Sequence, residues 1–251
     1  MKILGSDYDG TFTVGGIDEK KISAVRKWQK AGNKFGIVSG RNGDFRQFLL
    51  EQYPELKLDF FVGCNGAYIL DEKGDLLYAK RCEEVSALDF AKTLLSWGSP
   101  FVHIVADKYR CAVTDIKNRP SFIEEKDTLL LKDFPPLPYF HLVSVECDSP
   151  SGAAATVERI RAEYGEYLNP MQNAHCLDVV PIGVNKATGL YRVMEYFGGA
   201  YEDVIAVGDN FNDMDMIKEF RSYAMANGVE EIKAAANGIV SNITELIDKE
   251  L

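Results

Sequence analysis

The chain has 251 residues, of which 46% are hydrophobic and 26% charged, and its formal charge is −10. That composition excludes a disordered polymer and leaves room for one large or two small globular domains. An acidic chain without Lys/Arg clusters lacks the attraction on which phosphate-backbone binding rests, so no nucleic-acid partner is expected.

The cysteines Cys64, Cys82, Cys111, Cys147 and Cys176 never stand at C-x-x-C spacing. They predict reduced thiols rather than a disulfide framework or zinc knuckle, and hence a cytoplasmic protein. No apolar stretch approaches the ~18 residues of a membrane span, so no membrane partner is expected. The opening residues reach Asp7 too soon for a signal peptide. His103, His141 and His175 lack helical metal-ligand spacing.

Lys2–Ser6 is a short apolar run ending at Asp7-Tyr8-Asp9-Gly10, which predicts a buried strand stopping at a loop. A helix follows over Asp18–Gln29, with Asp18 as N-cap and Ile22, Val25 and Trp28 on one face. Phe35–Val38 predicts a second buried strand that ends at Ser39-Gly40-Arg41. A helix over Asp44–Gln52 stops before Pro54. Phe60–Val62 leads through Cys64-Asn65-Gly66-Ala67 into a hairpin of Tyr68–Leu70 and Leu76–Tyr78.

From about residue 82 the pattern changes. A helix over Ser86–Ser96 precedes strands at Phe101–Val105 and Arg110–Thr114 and a proline-rich stretch. Then come a strand at Phe140–Glu146, a helix at Ser151–Tyr164 and a strand at Cys176–Val180. Trp28 and Trp97 both read as core. Hairpins and long connections assign this third to a separate α+β domain.

After Pro181 the first pattern returns. It comprises a helix from Lys186 to Tyr196, a strand at Val204–Val207 ending at Gly208-Asp209, and a helix at Met214–Phe220. A strand at Ser222–Met225, a helix at Glu230–Ala236 and a strand at Ile239-Val240 complete it. The fold class is therefore α/β: a Rossmann-like, mostly parallel sheet with helices on both faces, interrupted by an inserted α+β domain. The boundaries fall at 1–81 and 182–251 for the core and 82–181 for the insert.

Three predicted strands end in polar clusters: Asp7/Asp9, Ser39, and Asp209/Asn212/Asp213. Parallel sheets bind ligands beyond the carboxyl ends of their strands, so these positions converge on one crevice. Lys186, opening a helix, adds a cation and a helix N-terminus. Clustered carboxylates need a cation between them, and an all-oxygen set favours magnesium. Magnesium beside a lysine and a hydroxyl is a combination suited to a phosphoryl group. A calcium loop fits less well, because Phe12 stands where the EF-hand glycine belongs and Asp18 where its glutamate belongs. Asn212 and Asp213 also suit helix capping.

Asp7-Tyr8-Asp9-Gly10-Thr11, Ser39-Gly40-Arg41, Lys186, and Gly208-Asp209-Asn210-Phe211-Asn212-Asp213 resemble the four motifs of the haloacid dehalogenase superfamily. The likeness is narrower to its Cof-type (subfamily IIB) sugar phosphatases, and it extends to Cys64–Ala67 and Ala224–Asn227. It implies that Asp7 attacks phosphorus and that Asp9 carries the proton. It implies phosphate binding by Thr11, Ser39, Gly40, Lys186 and Asn212. It implies Mg²⁺ on Asp7, the Asp9 backbone carbonyl and Asp209, with Asp213 orienting Lys186 or a metal-bound water. Arg41 and Asn65 become candidate substrate contacts.

The substrate implied is a small phosphorylated metabolite, and the insert becomes a cap hinged near Arg81 and Pro181. Arg110, Lys117, Arg119, Asn173 and His175 are its candidate contacts. An aspartate at position 9 implies hydrolysis or mutase chemistry; ATP-driven transporters of the superfamily carry threonine there, and carbon–phosphorus cleavers alanine. A non-catalytic sugar-phosphate sensor is the remaining alternative. Asn185-Lys186-Ala187 departs from the usual Ser-Lys-Gly, and Tyr8 from leucine or isoleucine.

Overall fold

The computed structural model describes residues 1–106, 109–114 and 128–251, with the backbone alone at 109 and 110. Lys117 and Arg119 lie outside the described residues, and so does the side chain of Arg110. The chain divides into two compact units, Met1–Ala79 with Asn185–Leu251, and Lys80–Val184.

The first unit is built on β1 (Ile3–Ser6), β2 (Lys34–Val38), β3 (Phe60–Gly63), β4 (Tyr68–Asp71) and β5 (Leu76–Ala79), joined by β12 (Val204–Gly208), β13 (Arg221–Met225) and β14 (Gly238–Val240). The order across the sheet is β14-β13-β12-β1-β2-β3-β4-β5. All pairings from β14 to β3 are parallel, with Ile3 facing Val204 on one side and Lys34 on the other. The edge hairpin β4–β5 is antiparallel.

Successive residues of each central strand point to opposite faces, and both faces are covered, which is why these strands read as unbroken apolar runs. Helices α1 (Glu19–Lys30), α2 (Gly43–Gln52) and α8 (Ile243–Glu250) cover one face. Trp28, Leu49 and Leu246 pack there on Leu4, Phe35 and Ile205. Helices α5 (Lys186–Phe197) and α6 (Met214–Glu219) cover the other, with Leu190, Val193 and Met216 against Ile3, Val38 and Ala206. The short α7 (Glu230–Ala235) packs beside α6 through Ile232.

The second unit holds β6 (Val102–Ala106), β7 (Tyr109–Thr114), β8 (Thr128–Leu130), β9 (Leu142–Glu146), β10 (Leu168–Asn173) and β11 (Cys176–Pro181). Their order is β10-β11-β9-β6-β7-β8, antiparallel except for β7–β8. Helices α3 (Ala87–Ser96) and α4 (Pro150–Tyr164) supply Phe90, Leu94, Val157 and Ile160 to one core with this sheet. Phe90 stacks on Phe140 at 5.7 Å.

The structure corrects several expectations. Phe140 precedes β9 and forms an isolated bridge with Cys82. Trp97 is half-buried, because Arg159 covers its outer face 3.8 Å from the ring centre. Strands β8 and β10 and helix α8 were not anticipated. Pro170 interrupts the strand pattern of β10, and the strand is tolerated because it lies at the sheet edge. Helix α8 is short, yet its start is marked: the Asn242 side chain accepts from Glu245 N–H at 3.0 Å and the Glu245 carboxylate accepts from Ser241 N–H at 2.8 Å.

Candidate active site

Strands β12, β1 and β2 lie side by side and parallel, so their carboxyl ends gather at one edge of the sheet. Asp7 follows β1 and extends its ladder, donating its N–H to Val207 O at 2.9 Å. Ser39 follows β2 and donates to Val62 O at 2.8 Å, while its own carbonyl accepts from Asn65 N–H at 2.9 Å. Asp209 follows β12. Lys186 is the first residue of α5, whose N-cap Asn185 forms a reciprocal capping box with Thr188.

These elements bring Lys186 between two carboxylates. Its ammonium donates to Asp7 Oδ1 at 2.6 Å and to Asp213 Oδ1 at 2.5 Å, and all three side chains are buried. The second oxygen of Asp213 accepts the N–H groups of Asp209 at 2.9 Å and Asn210 at 3.1 Å. Asp213 therefore anchors the lysine and shapes the loop after β12 together. Gly208 is required beside it, since a Cβ there would lie 2.4 Å from the Asp213 side chain.

Asp209 is half-buried, and one oxygen accepts from the Thr11 hydroxyl at 2.6 Å. Gly10 has φ +79°, and a Cβ on it would stand 2.4 Å from Asp209 Oδ2, so conformation and space both demand glycine. Asn227 steadies the same turn by donating to Gly10 O at 2.8 Å.

The carboxylates of Asp7, Asp209 and Asp213 place one oxygen each within 4.8 Å of the others. Three carboxylates share one ammonium. Burial pushes Asp7 well above the usual carboxylate range, Asp213 and Asp209 add to that, and Lys186 opposes it. Burial likewise raises Asp209. Burial alone would lower Lys186, but Asp213 and Asp7 outweigh it and hold the ammonium above its ordinary value. The lysine stays charged and the deficit of positive charge falls on Asp7. An all-oxygen cluster short of positive charge fits a hard divalent cation.

Asp9 is placed differently. Its carboxylate meets the Arg41 guanidinium in a two-pronged pair, with Nε at 2.8 Å and Nη2 at 2.9 Å. Both side chains are about half exposed. The guanidinium lies over the rings of Phe45 at 4.6 Å and Tyr8 at 5.6 Å. Gly40 and Asn212 lie half-buried at the ends of β2 and β12, and Ser39 is buried.

The Thr11 hydroxyl, expected at the phosphate, donates to Asp209 at 2.6 Å and is buried. Asn65, expected at the substrate, is as fully buried as Lys186. It belongs to a turn in which Cys64 and Asn65 both have positive φ and Gly66 abuts Asn185 O, where a Cβ would lie at 2.2 Å. That turn seats the N-terminus of α5. In the second unit Asn173 ends β10, and His175 pairs with Glu146 at 3.4 Å. Asn227 enters the sequence reading only as the last residue of the Ala224–Asn227 resemblance, which gives its amide no role.

The family model for haloacid dehalogenase-like hydrolases matches residues 4–245. The chain belongs to this family. Among its relatives is the pyridoxal phosphate phosphatase YbhA of Escherichia coli, 24% identical over 285 residues, covering 97% of this chain and 94% of that protein. A haloacid dehalogenase-like hydrolase of Bacillus subtilis superposes with a TM-score of 0.83 at 19% identity, each chain covered to 100%. The subclass IIB sugar phosphatase BT4131 superposes at 0.79 with 19% identity, covering 100% of this chain and 99% of its own. This hydrolase thus shares its fold with these two structures. Among the described residues, no helix is long and apolar enough to cross a membrane.

Proposed function

We propose that this hydrolase is a Mg²⁺-dependent phosphatase of small phosphorylated metabolites, with sugar phosphates the leading class, acting through a phosphorylated Asp7. The observation that carries this reading is the buried Asp7–Lys186–Asp213 arrangement, with Asp209 beside it and Asp9 two residues beyond the nucleophile. The named activities of YbhA and of the subclass IIB relative support the substrate class.

Asp7 attacks phosphorus; its O–P bond forms as the ester P–O bond breaks. Asp9 gives a proton to the departing alkoxide, then takes one from the water that frees the phosphate. Lys186 neutralises phosphoryl oxygens, with Ser39, Gly40 and Asn212 around them. Asp7, Asp209, Asp213 and the Asp9 backbone carbonyl would hold the metal. Bound there, Mg²⁺ supplies the positive charge that three carboxylates and a phosphoryl group lack. The 80–184 unit is the proposed cap that selects the leaving group.

Turnover of p-nitrophenyl phosphate with Mg²⁺, with and without EDTA, tests the chemistry. Asp7→Asn is expected to abolish it with the fold intact, and near-normal turnover by that variant would overturn the covalent route. A screen of phosphorylated metabolites for phosphate release identifies the class. Conversion of a hexose 1-phosphate to its 6-phosphate without phosphate release would assign a mutase.

A further inference from the structure

Lys21 stands in the first turn of α1, where its own N–H is held by the Asp18 cap at 2.9 Å. Side chains of a helix lean toward its N-terminus. That of Lys21 follows, and the residue is 4% exposed. It donates to three backbone carbonyls: Phe12 O at 2.5 Å, Val14 O at 2.8 Å and Gly16 O at 2.5 Å. The ring of Phe12 lies 5.3 Å below it. Three N–H donors meet three acceptors, so the group is fully satisfied without a carboxylate partner. Burying an ammonium is costly, and a core of this composition has no packing need for one.

The three carbonyls belong to the chain leaving the Asp7–Asp9 turn. Phe12 N–H donates to Asp7 O at 3.1 Å, and Thr13 N–H to Tyr8 O at 3.1 Å. Gly10 N–H donates to the Thr13 hydroxyl at 3.1 Å. Gly10 in turn abuts Asp209. Beyond them Gly15 and Gly16 have φ of +76° and +81°, with no atom within 4 Å of a Cβ at either. Phe12, Val14 and Ile17 pack on the core on either side, but the two glycines between them add no side-chain contact of their own.

We propose that Lys21 is a positioning residue for the Asp7–Asp9 turn: its ammonium does from within the chain what a bound potassium or ammonium ion does in a cage of carbonyls. The inference rests on the phosphatase reading for its kinetic consequence, but its structural consequence is separate.

Lys21→Met keeps the apolar stem and removes every donor, and Lys21→Gln restores two. The expected result is a kcat on p-nitrophenyl phosphate about 10- to 100-fold lower in the Met variant, from misplacement of the nucleophile, and less reduced in the Gln variant. KM stays unchanged. Amide exchange at residues 8–16 quickens in the same order, while Val204–Gly208 stays protected. In Lys21→Ala, added propylammonium recovers part of the rate and tetramethylammonium does not. A structural role alone would make kcat independent of the head group once the variant is folded. A Met variant, or a Gln variant should Met fail to fold, with wild-type kcat and wild-type exchange at 8–16 overturns the proposal. Wild-type protein that releases no phosphate defeats the functional reading instead, and the exchange order then decides Lys21.

Discussion

Asp7 and Asp9 are two residues apart, and each carboxylate is bound to a cation, yet the two pairs live in different media. The Asp7–Lys186–Asp213 contact is dry, with side chains 7% exposed or less, whereas those of Asp9 and Arg41 are 58% and 47% exposed. In a dry site a charge left alone has no water to turn to, so each partner is obligatory. In the wet pair either partner can part from the other at little cost. One turn of chain thus supplies a fixed group suited to attack and a releasable group suited to carrying protons.

The largest test of this contrast is Lys186→Met. It strands two buried carboxylates, and unfolding in urea with EDTA present should show a loss of about 3–5 kcal/mol, as for other broken buried pairs. Turnover should vanish with it. A loss within the range of a surface pair would mean that water reaches the cluster. Next comes Asp9→Asn, which should lower kcat by about 10²- to 10⁴-fold while leaving stability nearly unchanged. Steady-state kinetics and thermal unfolding on one sample separate the two effects. A large loss of stability would mean that Asp9 is as structural as Lys186.

Acidity gives a smaller and more selective test. Asp7 has its folded-state value raised above the ordinary 3.8, so between those two values the folded chain binds more protons than the unfolded chain. Stability from this group is therefore full in acid and is lost as pH rises through that window. Asp209 has the same sign. Asp7→Asn stays neutral throughout. Metal-free wild type should lose melting temperature relative to Asp7→Asn as pH rises from about 4 toward neutrality. Added Mg²⁺ should restore the wild type and not the variant. A parallel pH course for both proteins would show that Asp7 is not the strained carboxylate.

The dry site was legible in sequence because its causes are local. Apolar strands stop at Asp7, Ser39 and Gly208, and the periodic pattern opening at Lys186 places that lysine at the start of α5. Parallel topology then gathers those ends without further information. What lay hidden depends on approach between distant segments. No spacing links Arg41 to Asp9 or Thr11 to Asp209, which are 32 and 198 residues apart. No sequence pattern marks Lys21, and only the loop folding back over it makes it a buried lysine. The second unit was less legible for a related reason. Its edge strands β8 and β10 are three and six residues long, one contains a proline, and their place is fixed by neighbours rather than by pattern.

Arg41→Ala is the finest test, because it touches only the wet pair. The guanidinium forks onto Asp9 and rests on Phe45 and Tyr8, an arrangement that is solvent-screened and worth about 1 kcal/mol or less in stability. If Arg41 only aims Asp9, the loss in kcat should stay below the roughly 10² at which loss of the proton carrier begins. The loss should also depend on the leaving group. An alkyl phosphate needs its departing oxygen protonated and should suffer, whereas p-nitrophenolate leaves unaided and should suffer less. Comparing kcat for the two substrates in wild type, Arg41→Ala and Asp9→Asn measures this directly. Equal losses for both leaving groups, with a raised KM, would move Arg41 from Asp9 to the substrate itself, and the wet pair would then be a resting contact that the substrate displaces.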